Sequence, residues 1–219
     1  MVKKIILFVL TVMFFYTQTS FAFDLEPQVR MASFHFQECG IKEGNKMLFG
    51  FGLNFSGSEN RFVWSLTPEI WKLGEAVDED SEFPQNGIAL EGKIGYRFPI
   101  NKDLTLTPHI GFYASQWDRV GNEKYNPTWT RLQSISTLVG FDVKYKMVYG
   151  KFDMAIPSMF DSDLQNPSNG NMSFRVPTGM SEVGITYEKF SIGIFRRVLA
   201  FNPVDSKLFI TGGVISYRF

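Results

Sequence analysis

The sequence predicts an all-β fold, a transmembrane antiparallel up-and-down β-barrel, on three observations. The N-terminus reads as an export leader, the rest of the chain alternates apolar and polar with period two, and the last strand ends in Phe. The 219 residues are enough for one domain or one modest barrel.

The leader comes first. Lys3 and Lys4 form a short positive region, and Ile5 to Tyr16 is apolar apart from Thr11. Ser20-Phe21-Ala22 then supplies the small residues that a signal peptidase reads, so cleavage is expected after Ala22. At about 12 residues the apolar run is too short for a spanning helix. The chain is therefore divided into a signal peptide, 1–22, and a barrel, 23–219. No Cys lies near the cleavage point, so a lipoprotein is not expected. Cys39 is the only cysteine, which excludes an internal disulfide.

Charge is balanced, with 22 Lys plus Arg against 22 Asp plus Glu. That gives no reason to expect a nucleic-acid partner. Aromatic residues are abundant, with 23 Phe, 8 Tyr and 4 Trp.

Alternation is the second observation. Met47, Phe49, Phe51, Leu53 and Phe55 interleave with Gly50, Gly52, Asn54 and Ser56. Similar runs are Phe62 to Ile70, Ile88 to Phe98, Leu104 to Tyr113, Ser134 to Tyr145, Val148 to Ile156 and Glu182 to Glu188. Period two means one apolar face per strand. The other face mixes Gly, Ser and Thr with charges of both signs, which suits a narrow lumen filled by side chains and ion pairs. Aromatic residues at one end of the strands support a membrane boundary: Tyr96–Phe98, Tyr145, Tyr187 and Tyr217–Phe219. Trp71, Trp117 and Trp129 fall near the other end, the first two with inward phase. Connections at the aromatic end are short (57–60, 99–103, 146–147, 188–189). Those opposite are longer (39–45, 74–86, 118–130, 158–179, 202–206), so the longer ones are expected outside the cell.

Ten strands follow: 27–38, 46–56, 61–72, 87–98, 104–116, 131–145, 148–157, 180–188, 190–200 and 207–219. Two patterns are imperfect. Gln28 and Arg30 share a face with Phe34 and Phe36, and Phe195-Arg196-Arg197 interrupts the ninth strand. If two strands merge, the alternative is eight.

The third observation is the ending Phe209-x-Thr211-x-Gly213-x-Ile215-x-Tyr217-x-Phe219. It resembles the terminal strand of outer-membrane proteins, a resemblance that implies recognition by the barrel-assembly machinery. Gly95-Tyr96-Arg97-Phe98 through Leu106 to Phe112, with Phe34-x-Phe36-Gln37-Glu38 and Phe195 to Phe219, is similar to a family of small, porin-like outer-membrane β-barrel proteins without an assigned activity. The likeness spans most of 23–219 and implies location in the outer membrane of a Gram-negative bacterium. It names no function.

Candidate chemistry is sparse. Some small outer-membrane barrels that resemble this chain in size transfer or remove acyl chains on lipopolysaccharide with Ser, His and an acid. Ser33 and His35 share one strand face, and Glu38 or Glu43 could orient the His; the plainer reading is an interior polar pair. His109 has inward phase with Thr105, Thr107 and Tyr113, and adjoining strands could bring Glu91, Lys93, Ser134 or Ser136 to it. A lone His in such a layer reads as a hydrogen-bonded filler. Two His and one Cys far apart do not suggest a metal site, and no cofactor or catalytic site is assigned. Eleven charges are expected inside: Arg61, Glu69, Glu91, Lys93, Arg97, Asp142, Lys144, Lys151, Asp153, Glu182 and Glu188. Their mixed signs argue for ion pairs over a selective pore. The expected role is non-enzymatic, structural or surface-interacting. A narrow channel for small solutes and a lipid A or lipopolysaccharide acyl-modifying enzyme are the alternatives. Outer-membrane lipid, lipopolysaccharide and the assembly machinery are the expected partners.

Overall fold

Strands that expose one apolar face to lipid must satisfy every backbone group among themselves, and a closed barrel does so. The computed structural model shows such a barrel. It describes residues 22–38, 41–42, 46–73, 84–119, 131–157, 178–201 and 206–219. The strands are β1 (Ala22–Glu38), β2 (Ile41–Lys42), β3 (Lys46–Glu59), β4 (Phe62–Leu73), β5 (Pro84–Tyr96), β6 (Phe98–Pro99), β7 (Leu104–Arg119), β8 (Arg131–Tyr145), β9 (Val148–Pro157), β10 (Thr178–Tyr187), β11 (Phe190–Phe201) and β12 (Ser206–Tyr217). Ten are long; β2 and β6 are two-residue pieces that pair with β1 and β7. Each long strand runs antiparallel to the next in sequence, and β12 pairs with β1 from Gln28↔Ser216 to Glu38↔Ser206, which closes the barrel.

The ten-strand expectation holds and the eight-strand alternative does not. The two doubtful strands are full length, β1 with 17 residues and β11 with 12. Two boundaries are corrected. The first strand starts at Ala22, because Ala22 to Glu26 pair with Asn54 to Ser58. The 87–98 strand breaks at Arg97, and Phe98 pairs separately with Leu106. The leader lies outside the described residues except Ala22, as do Glu43, Trp129 and most of the long connections.

The exterior is the apolar face. Val29, Met31, Phe51, Ile70, Ile94, Ile110, Ile192 and Ile194 are exposed on it. A continuous apolar surface of this kind is stable against lipid, not water. At the short-turn end the outward rings touch one another. Phe62 meets Tyr96 at 5.1 Å, Phe190 meets Tyr217 at 4.7 Å, and Tyr217 meets Phe219 at 4.9 Å. Phe23 adds contacts to Phe55 and Trp64. The expected aromatic belt is therefore present.

Three short turns place their first residue in the left-handed region: Asn60 (φ 56°), Lys146 (φ 51°) and Glu188 (φ 52°). A positive φ at that position alone fits a two-residue type II′ hairpin, whose twist matches the flanking strands. In the longer connection before β7, Asn101 Oδ1 accepts from the backbone N–H groups of Asp103 and Leu104, both at 2.9 Å. The seam is secured beyond β12, where the Phe219 N–H donates to the Leu25 carbonyl at 3.0 Å.

Candidate functional site

The lumen is the candidate site, and it changes character along the barrel axis. At the long-connection end it is filled by apolar side chains. Phe34, Leu48, Trp71, Trp117, Leu138, Phe195, Leu208 and Ile210 form a buried cluster. Trp117 stacks at 5.8 Å from Phe34 and 6.3 Å from Trp71, and Trp71 at 6.1 Å from Phe195. Glycines on the adjoining strands make room for the indoles. A Cβ at Gly50 would fall 2.7 Å from the Trp71 ring, and one at Gly87 would fall 2.5 Å from Trp117. The inward phase of both tryptophans is as the alternation predicts. A wholly polar lumen is not found, since half of this interior is packed like a soluble core.

Below this plug lies a charged layer. Arg197 on β11 grips Glu69 on β4 in a two-pronged pair, Nη1 to Oε2 at 2.5 Å and Nη2 to Oε1 at 2.8 Å. Trp71 Nε1 donates to Glu69 Oε2 at 3.1 Å. Three rings box the guanidinium, Tyr113, Phe195 and Trp71, at 5.5, 5.7 and 5.9 Å. Arg30 on β1 donates to Gln28 at 2.6 Å, and faces Glu69 at 3.4 Å and Glu182 at 3.8 Å. Lys151 on β9 closes the other side of Glu182 at 2.9 Å. Buried charges persist only when paired in this way.

A second set lies on the β5–β9 wall. Lys93 Nζ donates to Asp153 at 2.7 Å and pairs with Glu91 at 3.0 Å. His109 Nε2 is 2.6 Å from Asp153 Oδ1, and its Nδ1 is 3.8 Å from Asp142. His109 and Asp153 sit on β7 and β9, with β8 between them. Gly140 lies opposite both in register, and its missing side chain lets them meet. His109 thus has Glu91 and Lys93 in its layer as expected, but its partner is Asp153. Ser134 and Ser136 are buried and inward, yet neither ring nitrogen is hydrogen-bonded to a hydroxyl among the described residues.

From the charged layer to the short-turn end the lumen is a polar vestibule, a cavity of about 720 Å³. Asp24, Ser56, Thr105 and Thr107 are among its lining, and Arg97 and Lys144 stand at its mouth. Arg61 and Glu188, expected inside, are exposed turn residues. They have the inward phase but sit in the two-residue turns next to Phe62 and Tyr187. Glu26, on the vestibule wall, accepts from Ser216 across the seam.

Ser33 and His35 face the other way. They share phase with Val29 and Met31, which are exposed on the outer wall. His35 packs against Phe209 at 6.0 Å. The Glu38 side chain and Glu43 lie outside what is described. Arg30, Gln28 and Arg197 are the interior residues that alternation undervalued, since each looked like a break in an apolar run.

No family model matches the chain, and no curated protein matches its sequence. Among solved structures, Ail, the attachment invasion locus protein of Yersinia pestis, aligns at 12% identity and a TM-score of 0.39, covering 90% of this chain and 99% of that one. Neisserial surface protein A aligns at 11% identity and 0.39, covering 89% and 97%. The outer membrane protease OmpT of Escherichia coli aligns at 8% identity and 0.49, covering 92% and 99%. Identities this low leave activity undetermined.

Proposed function

We propose that the chain is a non-enzymatic barrel of the outer membrane of a Gram-negative bacterium, with a structural or surface-interaction role and no through-going channel. The closed lumen carries this reading. A conducting pore needs a continuous wet path, and here Trp71, Trp117, Phe34 and Phe195 fill the cross-section above the Arg197–Glu69 pair. The apolar exterior and the aromatic belt support a membrane-embedded wall, and the inward ion pairs stiffen it. Lipid and lipopolysaccharide surround the barrel in this reading, and the assembly machinery delivers it through the Phe219 strand. Acyl transfer by Ser33 and His35 has less support: among the described residues the outer wall holds no carboxylate beside them.

Planar-bilayer recording tests the proposal. The wild-type barrel is expected to give no steady conductance, while the double variant Trp71→Ala with Trp117→Ala opens steps. Steady conductance from the wild type would overturn the closed-lumen reading. A lipid A acyl pattern that depends on the protein and is lost in His35→Ala would make it an enzyme.

A further inference from the structure

One row of the outer wall is not apolar. Ser181 on β10, Arg196 on β11, Thr211 on β12 and Ser33 on β1 pair in register across four neighbouring strands. Their phase puts all four on the lipid side, with Arg196 and Thr211 exposed and the two serines half-buried. Of the charged residues described on the outward face, Glu59, Lys72 and Lys207 lie at or next to a strand end, whereas Arg196 lies well inside β11. Its outward neighbour Ile194 is 72% exposed, so the guanidinium rises from a greasy wall. No described acidic side chain shares this part of the wall. The next row toward the long-connection end brings His35, beside Phe209.

Height decides what the row meets. Arg196 stands six residues beyond Phe190 of the aromatic belt. At a rise of about 3.3 Å per residue and a tilt of about 40°, that is roughly 15 Å up the barrel. An extended arginine reaches about 6 Å further, to within about 4 Å of the outer edge of an apolar band about 25 Å tall. Cationic side chains in such a wall reach for headgroups, and guanidinium matches phosphate in two-pronged geometry.

The geometry points to this row as a docking site for a phosphate of an outer-leaflet lipopolysaccharide. Arg196 takes the phosphate oxygens, the Thr211 and Ser33 hydroxyls donate to it, and His35 borders the sugar-facing side. The inference rests on the proposed outer-membrane placement, which puts the long-connection end of the barrel in the outer leaflet.

The test uses the chain extracted from membranes in mild detergent. Native mass spectrometry reads its retention of bisphosphorylated lipid A, dephosphorylated lipid A and phosphatidylglycerol. Bisphosphorylated lipid A is expected to be retained about tenfold better than the other two. Arg196→Gln should lower that retention about tenfold, the double variant Ser33→Ala with Thr211→Val about threefold, and Arg196→Lys less than Arg196→Gln. Heat-modifiable gel mobility verifies that each variant is folded. Equal retention by Arg196→Gln overturns the site, and equal retention of phosphatidylglycerol overturns its assignment to lipopolysaccharide. Membrane fractionation is read separately. A chain found in the inner membrane defeats the placement, whereas lipid retention in detergent still judges the row itself.

Discussion

Replacing Glu69 with Ala removes both carboxylate oxygens that hold Arg197 and leaves the buried guanidinium with the Tyr113 hydroxyl at 3.5 Å. The two side chains are 5% and 1% exposed, so water does not compensate. Glu69→Ala also strips the acceptor of Trp71 Nε1 and a carboxylate 3.4 Å from Arg30. Stranding one partner of a buried pair costs about 3–5 kcal/mol. The three rings around Arg197 return about 1 kcal/mol of that through their faces, so a loss of about 2–4 kcal/mol is expected. The double variant Glu69→Leu with Arg197→Met strands no charge at that position and suits the Trp71 and Phe195 surfaces. It should lie within about 1 kcal/mol of wild type. Urea titration of the barrel refolded into short-chain lipid vesicles, followed by tryptophan fluorescence, gives both values by linear extrapolation. A single variant within about 0.5 kcal/mol of wild type, or a double variant as unstable as the single, would refute the argument.

Glu188 holds a left-handed backbone, so Glu188→Gly should stabilise the β10–β11 hairpin by about 1 kcal/mol in the same titration, and a loss would show the turn is not strained. Gly140→Val places a Cβ against the Phe152 carbonyl oxygen and 2.7 Å from Asp153 Oδ1, so it should push β9 away and separate His109 from Asp153, with a cost of about 2 kcal/mol or more. Asp153→Asn is the comparison, and a neutral Gly140→Val would mean the glycine is not what allows the contact. Phe219→Ser keeps the backbone bond to Leu25 but removes a ring from the belt; the heat-modifiable fraction in the outer membrane should fall several-fold. Normal surface levels would remove Phe219 from any account of insertion.

Strand number and facing were legible because the two sides of each strand meet different surroundings, lipid and lumen, and period two records that difference. Height along the axis was not legible. The inward residues of β1 pass from Gln28 and Arg30 to Ala32 and Phe34, which reads as a broken pattern until the lumen is seen to change from charged to apolar. The same holds at Phe195 and Arg197. Ser33 and His35 show a subtler case. Their shared face was plain, and its direction could have been read from Val29 and Met31, apolar residues of the same phase. Pairings such as Arg197 with Glu69, 128 residues apart, depend on stagger between strands that do not adjoin. Alternation carries no information on stagger. His109 meeting Asp153 needed one further clue, a glycine on the strand between them.

The seam between β12 and β1 governs when these interior bonds can exist. Ser216 meets Glu26 only across that seam, and Arg197 stands beside it on β11 while Glu69 stands on the far side on β4. In an open sheet the two would be held apart by the width of the curl. A sheet that is not yet shut therefore lacks these two bonds, whereas His109 with Asp153 and Lys151 with Glu182, on strands next to or one removed from each other, can already meet. Closure is a latch that joins the first strand to the last and completes both bonds together.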